Sequence, residues 1–324
     1  MAEPLKATFF AFRRRDESGV LTKASLAFFI VSVVLFAAFI ALYWQSLGPV
    51  LSWYGEVVAA VARDDAAAIE SAGAPPNFLG FVGGLLLWMI PFYILVAAYE
   101  AACLRWMIRG ERGGFMGLSL GADTWRVWGV YWVWFGLNIA FSMIVGFATA
   151  LVTGAVVVGG GDGAAAARNA EALVSVLQLV IMAYFAVRLA PAAATSIAER
   201  RFAFFDAWKV TKGRFWALFG SFFVLYALYF AAIIVLVIAW FMFAFDVSSV
   251  DMEALSDPTR ADAAMGAVIQ QYVQSLTSPR TWVVLGVLQL IGWVVAVLFY
   301  VAAYGVNARA AQAALAEGKI TPAS

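Results

Sequence analysis

The 324-residue sequence contains no histidine and a single cysteine, Cys103. Without imidazole there is no Ser-His or Cys-His nucleophile pair and no histidine general base. One thiol excludes a disulfide within the chain, and no zinc site of the Cys/His kind can be built from it. Charge is scarce as well: charged residues make up 13% of the chain and nearly cancel, to a net +1. That balance offers no basic footprint for a nucleic-acid partner. No phosphate-binding G-x-x-x-x-G-K-[ST] occurs, since Gly318-Lys319 lacks both the leading glycine and a following helix. Asp64-Asp65 and the group Asp251, Glu253 and Asp257 are dispersed and make poor calcium sites. No metal and no cofactor is expected.

What the chain has instead is apolar surface. It is 64% hydrophobic and 16% aromatic, with thirteen Trp, far from soluble usage. Six apolar runs reach the roughly 20 residues that cross a bilayer. They fall at about Ala24–Trp44, Phe78–Leu104, Val127–Val152, Ala172–Ala194, Phe215–Phe243 and Thr281–Gly305. The fold expected is all-α: a polytopic membrane helical bundle of six transmembrane helices, paired as three hairpins with short interfacial helices. Residues 1–23 form a cytoplasmic N-terminal segment, 24–305 the membrane domain and 306–324 a cytoplasmic tail. The first run is too long for a signal h-region and no small-residue cleavage site closes it, so it is expected in the mature protein.

Orientation follows from the basic residues. The N-terminal segment, the connections after runs two and four, and the C-terminal tail hold seventeen of the 21 Lys and Arg; the other connections hold Arg63, Arg168, Arg260 and Arg280. The basic side is expected to be cytoplasmic, with both termini inside. Richness in Ala, Gly and Val points to a bacterial inner membrane.

On the other side, Ser52–Ala72 reads as an interfacial helix continuing run one and stopped at Ala74-Pro75-Pro76. Gly159 to Gly163 reads as a flexible tip. Met265, Val268, Ile269, Tyr272, Val273 and Leu276 form one helical stripe, with N-cap and first-turn proline devices at Asp257-Pro258 and Ser278-Pro279.

The most informative stretch is Glu199–Trp216, a basic-aromatic segment between two apolar runs. At an offset of 88 positions, Glu111-Arg112 falls on Glu199-Arg200, and Arg126-Val127-Trp128 falls on Arg214-Phe215-Trp216. The coincidence reads as an internal repeat. Phe204, Ala207, Trp208 and Thr211 share a helical face that leaves Phe202 and Phe205 off the stripe. This suits a helix lying in the lipid headgroup layer and turning at Gly213 into the fifth span. The lipid contacts expected are Arg200, Arg201, Trp208, Lys209, Lys212, Arg214 and Trp216, with Arg112, Arg126 and Trp128 as the earlier counterparts.

Ionisable groups inside apolar runs are costly and therefore informative. Glu100 and Arg188 lie at like depth and at the same repeat offset, so a salt bridge between hairpins is expected of them. It would fix packing, or form a polar node in a proton or substrate path. Asn138, Gln178 and Gln289 are the amides of the spans, placed to bond between helices or line a cavity. Pro91 and Pro191 interrupt backbone bonding, and Gly80-x-x-x-Gly84 allows a close helix approach.

The run RLAPAAA at 188–194, then Glu199 and the W-x-x-T-x-G-x-x-W element Trp208–Trp216, resembles the glycerophosphoryl diester phosphodiesterase membrane-domain family. It is similar to YciC-like bacterial multi-pass membrane proteins too. With the six runs, the likeness covers most of residues 1–310. It implies fold and membrane location. Some members carry a separate soluble phosphodiesterase domain that holds the catalytic histidines and metal ligands; this sequence has neither, so no catalytic residue is carried over. The function expected is a non-catalytic inner-membrane scaffold, lipid-interacting module or accessory subunit, with membrane lipids and other membrane proteins as partners. The alternative is a small transporter or permease using Glu100 and Arg188.

Overall fold

The computed structural model describes residues 7–13, 19–62, 65–158, 163–244 and 278–322, with isolated positions between 253 and 275. Among them every regular element is helical, and the only isolated bridge joins Phe115 to Leu118. In chain order the helices are α1 (Phe10–Arg13), α2 (Val20–Ala62), α3 (Ala66–Ala72), α4 (Phe78–Arg109) and α5 (Ala122–Val158). Then come α6 (Gly163–Leu189), α7 (Ala192–Ala198), α8 (Ala207–Thr211), α9 (Phe215–Ala244) and α10 (Pro279–Ala316). Six of these, α2, α4, α5, α6, α9 and α10, are long and apolar enough to cross a membrane. The protein is a polytopic all-α membrane protein.

The helices overrun the apolar runs. α2 continues through Pro49 for 43 residues, about 65 Å at 1.5 Å per residue. The interfacial helix expected over Ser52–Ala72 is therefore divided. Its first half belongs to α2, and only Ala66–Ala72 is separate, capped by Asp65 accepting from the Ala68 amide at 2.9 Å. The glycine tip at 159–162, Asp257-Pro258 and most of the stripe from Met265 to Leu276 lie outside the described residues.

The chain forms two compact units. The first contains Met1–Phe28, Ile94–Leu225 and Val301–Ser324, and most of the fully buried side chains belong to it. Tyr99, Leu104, Met107, Ile197, Phe204 and Leu218 are all enclosed. Tyr99 stacks on Phe28 with centroids 4.7 Å apart and shares a 2.8 Å hydrogen bond with Ser25. Gln312 of α10 donates to the Met107 carbonyl of α4 at 2.8 Å.

The short α7 is the centre of this unit. Pro191 cannot donate a backbone hydrogen bond, so α6 stops at Leu189 and the chain restarts two residues later. Every residue of α7 is buried. Its polar members are satisfied locally: Thr195 donates to the Pro191 carbonyl at 2.8 Å and Ser196 to the Ala192 carbonyl at 2.8 Å. Ser196 also accepts from the Ala203 amide at 3.1 Å, closing the turn that follows.

The connection from α4 to α5 is a tight loop rather than a helix. Gly114 has φ +78°, and a Cβ there would lie 1.8 Å from the Leu118 carbonyl oxygen, so no other residue fits. Arg105 clamps the loop, donating to Ser119 Oγ at 2.6 Å and to the Gly117 carbonyl at 3.0 Å.

The second unit holds Phe29–Tyr93 and Tyr226–Tyr300. Here α2 and α4 pack through Trp88, which donates to the Leu35 carbonyl at 3.3 Å and lies 5.4 Å from the Phe39 ring. Gly84 permits the approach: a Cβ would fall 2.4 Å from the Tyr43 ring. Gly80 instead faces the Asn77 side chain, so only one glycine of the GxxxG pair serves helix contact. Tyr229 of α9 meets Phe299 of α10 at 4.7 Å. A cavity of about 430 Å³ between these two helices is walled mainly by Ile, Leu, Val and Trp, with Gln289 at its edge.

Candidate functional site

The polar chemistry of the first unit gathers where α4, α6 and α7 end and α5 and α9 begin. Arg109, the last residue of α4, is mostly buried and pairs with Asp123 in the first turn of α5. It also pairs with Glu111 at 2.9 Å and donates to the Ile197 carbonyl at 3.1 Å. Arg126 holds the other oxygen of Asp123 at 2.5 Å. An acid in a first turn suits the positive helix end, and here it receives two guanidinium groups besides.

The α7–α8 connection carries a second chain of charges. Arg200, with φ +55°, reaches Glu111 at 2.8 Å. Arg201 bridges Glu199 and Asp206, each at 2.6 Å, and Lys209 adds a 2.6 Å contact to Asp206. Burial pushes the Glu199 carboxyl above its ordinary value, against the pull of Arg201. Asp206 is held below its ordinary value, chiefly by the hydrogen bond from Lys209. Arg214 pairs with Glu317 of the C-terminal segment. Its guanidinium is pushed downward by burial and then by the charge of Arg309.

Arg188 and Glu100 do not form the salt bridge expected of them. Glu100 is buried and accepts from the Tyr131 hydroxyl of α5. Arg188 turns to the connection instead. Its Nη1 donates to the Thr211 carbonyl at 3.1 Å, and Thr211 Oγ1 returns a bond to the Arg188 carbonyl at 3.2 Å. The guanidinium carbon lies 5.4 Å from the Tyr184 ring, 5.2 Å from Trp208 and 5.3 Å from Phe215. Three ring faces around one cation hold it at the connection. Equal depth along two helices does not fix which way either side chain turns, and that is why the pairing failed.

The amides are not brought together. Asn138 donates to its own helix at the Trp134 carbonyl, 2.8 Å away, while Gln178 is half-buried on α6 and Gln289 sits in the second unit.

The chain matches no family model, no curated protein and no solved structure.

The residues expected to touch lipid divide into two sets. Arg200, Arg201, Trp208, Lys209, Lys212, Trp216 and Arg112 are exposed. Arg126 and Arg214 are half-buried in ion pairs. Trp128 is half-buried too, edge-to-face with Trp125 and Trp132 at 5.5 Å each. The α8 face is shifted from the expected one: Ala207, Val210 and Thr211 are buried with Phe204, whereas Trp208 lies over Arg188. Phe202 and Phe205, off the stripe, are exposed as expected. Sequence reading missed Tyr131, Asp123 and Glu317 as partners. Asp123 alone carried a usable signal, as an acid placed to open a helix.

Proposed function

We propose that this chain is a non-catalytic, lipid-interacting module of a bacterial inner membrane, serving as scaffold or accessory subunit. The basic end faces the cytoplasm, with both termini on that side. The observation that carries the reading is a cluster of exposed rings flanked on both sides by exposed cations in one short connection. Arg200 and Arg201 precede Phe202, Phe205 and Trp208 there, Lys209 and Lys212 follow them, and Trp216 comes next at 77% exposure. Rings of this kind settle at the membrane–water interface, and cations beside them meet anionic headgroups, at about 1 kcal/mol per residue near the surface.

The resemblance to the glycerophosphoryl diester phosphodiesterase membrane-domain family belongs to this reading. Its motif residues form a local unit in which Arg188, Trp208, Thr211 and Phe215 touch one another's groups. The scaffold reading is favoured over transport because Glu100 is enclosed and partnered, and Asn138 bonds within its own helix.

Purification in mild detergent, with bound lipids and proteins identified by mass spectrometry, tests it. Anionic phospholipid or a stable membrane-protein partner should copurify. A chain that emerges bare, or that moves solute across proteoliposomes, sinks the proposal.

A further inference from the structure

Several described cations of the α4–α5 and α7–α9 connections have a carboxylate: Arg109, Arg126, Arg200, Arg201, Lys209 and Arg214 each do. Arg188 has none within 4.0 Å among the described residues. Its Nε and Nη1 are engaged by Tyr184 and Thr211. Among the described residues its Nη2 has no hydrogen-bond partner, yet it is not sealed from outside. Ring faces ease the burial of a cation but leave its charge uncompensated. A half-buried guanidinium with a free fork edge attracts an oxyanion, and the planar fork fits phosphate.

What surrounds the group narrows the anion. Arg188 stands near the end of spanning helix α6 and against the first residue of spanning helix α9. From there Phe215, Phe219 and Phe223 run up α9 at four-residue spacing, stacked at 16° and 20° between planes. Phe223 is 65% exposed. This row is a wall for an acyl chain that starts at the cation. Lys212, directly after Thr211, supplies a second exposed cation.

We propose that Arg188, caged by Tyr184, Trp208 and Phe215 and assisted by Lys212, is a phospholipid site. It takes the headgroup phosphate, with one acyl chain laid along Phe215, Phe219 and Phe223. The site rests on the lipid-interacting reading above and gives it an address, so the two can fail separately.

The test is native mass spectrometry of the full chain in detergent, titrated with phosphatidylglycerol and with diacylglycerol of the same chains. The wild type should retain one phosphatidylglycerol tightly and no diacylglycerol. Arg188→Gln should weaken that binding roughly tenfold or more, the size of a lost hydrogen bond to a charged group. Lys212→Gln removes an exposed side chain that the fold does not use, and should weaken it about fivefold. Retention by both variants equal to wild type overturns the site and leaves the broader reading standing. A wild type that retains no phospholipid overturns both. Displacement of the lipid by millimolar inorganic phosphate assigns a soluble anion and overturns the lipid assignment.

Discussion

Arg109 donates from Nη1 to the backbone carbonyl of Ile197 at 3.1 Å, tying the end of α4 to the end of α7. The two residues stand 88 positions apart, the same spacing that relates Glu111-Arg112 to Glu199-Arg200. An internal repeat would thus place its two copies in direct contact through the residues just before the shared Glu-Arg pair. The helices meet here at their ends, where the Ile197 carbonyl, already accepting from the Arg200 amide at 3.3 Å, takes the guanidinium as a second donor.

Asp123 underlies that contact, because it holds Arg109 in place. Asp123→Asn keeps one oxygen acceptor but removes the charge that offsets two guanidinium groups. Breaking a buried pair costs about 3–5 kcal/mol. The surviving Glu111 contact brings the expected loss to roughly 2–3 kcal/mol on that scale. Denaturation midpoints in detergent would show it, and an unchanged midpoint would contradict the role given to Asp123.

Tyr131→Phe leaves the enclosed Glu100 carboxyl without its hydroxyl donor. An unsatisfied buried acceptor costs about 1–3 kcal/mol. Adding Glu100→Gln to Tyr131→Phe should destabilise less than the sum of the single changes. Strict additivity in this double-mutant cycle would show that the two side chains are not coupled.

The two acids of the α7–α8 connection should respond to pH with opposite signs. Asp206, held low, adds stability that is present above its ordinary value and is lost as pH falls through the depressed one. Asp206→Asn should therefore cost up to about 1 kcal/mol at neutral pH, since Arg201 and Lys209 are exposed. In strong acid the variant and wild type should coincide. Glu199, held high, favours its protonated form, so its contribution is present at low pH and lost as pH rises through the raised value. Glu199→Gln should be the more stable protein at neutral pH, and its advantage should shrink on acidification. Parallel stability–pH curves for wild type and both variants would refute the assignment.

Asn307 on α10 is buried, and its Oδ1 has no partner among the described residues. Replacing an unsatisfied polar group by an apolar one of similar size removes a desolvation penalty. Asn307→Leu should raise the thermal midpoint, by the equivalent of about 1 kcal/mol. A lower midpoint would mean that the amide is needed where it stands.

The six spans were legible because apolar length is a one-dimensional signal, and α4, α9 and α10 begin within a few residues of the expected positions. Helix ends were less so. α2 runs to Ala62, straight through Gly48 and Pro49, and hydropathy marks only where lipid ends. The turn at Gly213, with φ +81°, was legible from glycine chemistry. Side-chain direction was not. Glu100 and Arg188 share a depth, yet Tyr131 claims the one and Trp208, Phe215 and Tyr184 the other, and all of these but Tyr184 come from other helices. The burial of α7 also escaped notice, because a run of alanines carries no amphipathic stripe by which to read a face.

The enclosure of α7 has a consequence for how the chain can change over time. Lipid-facing positions such as Leu42, Leu79 and Met143 are widely exposed, so many apolar side chains serve equally well there. Residues 192–198 have no open side, and close packing penalises even one added methylene. Substitutions will accumulate along the spans while this short segment stands still. Distant kin of the protein will be betrayed by the few small residues around Pro191, long after the hydrophobic helices have ceased to look alike.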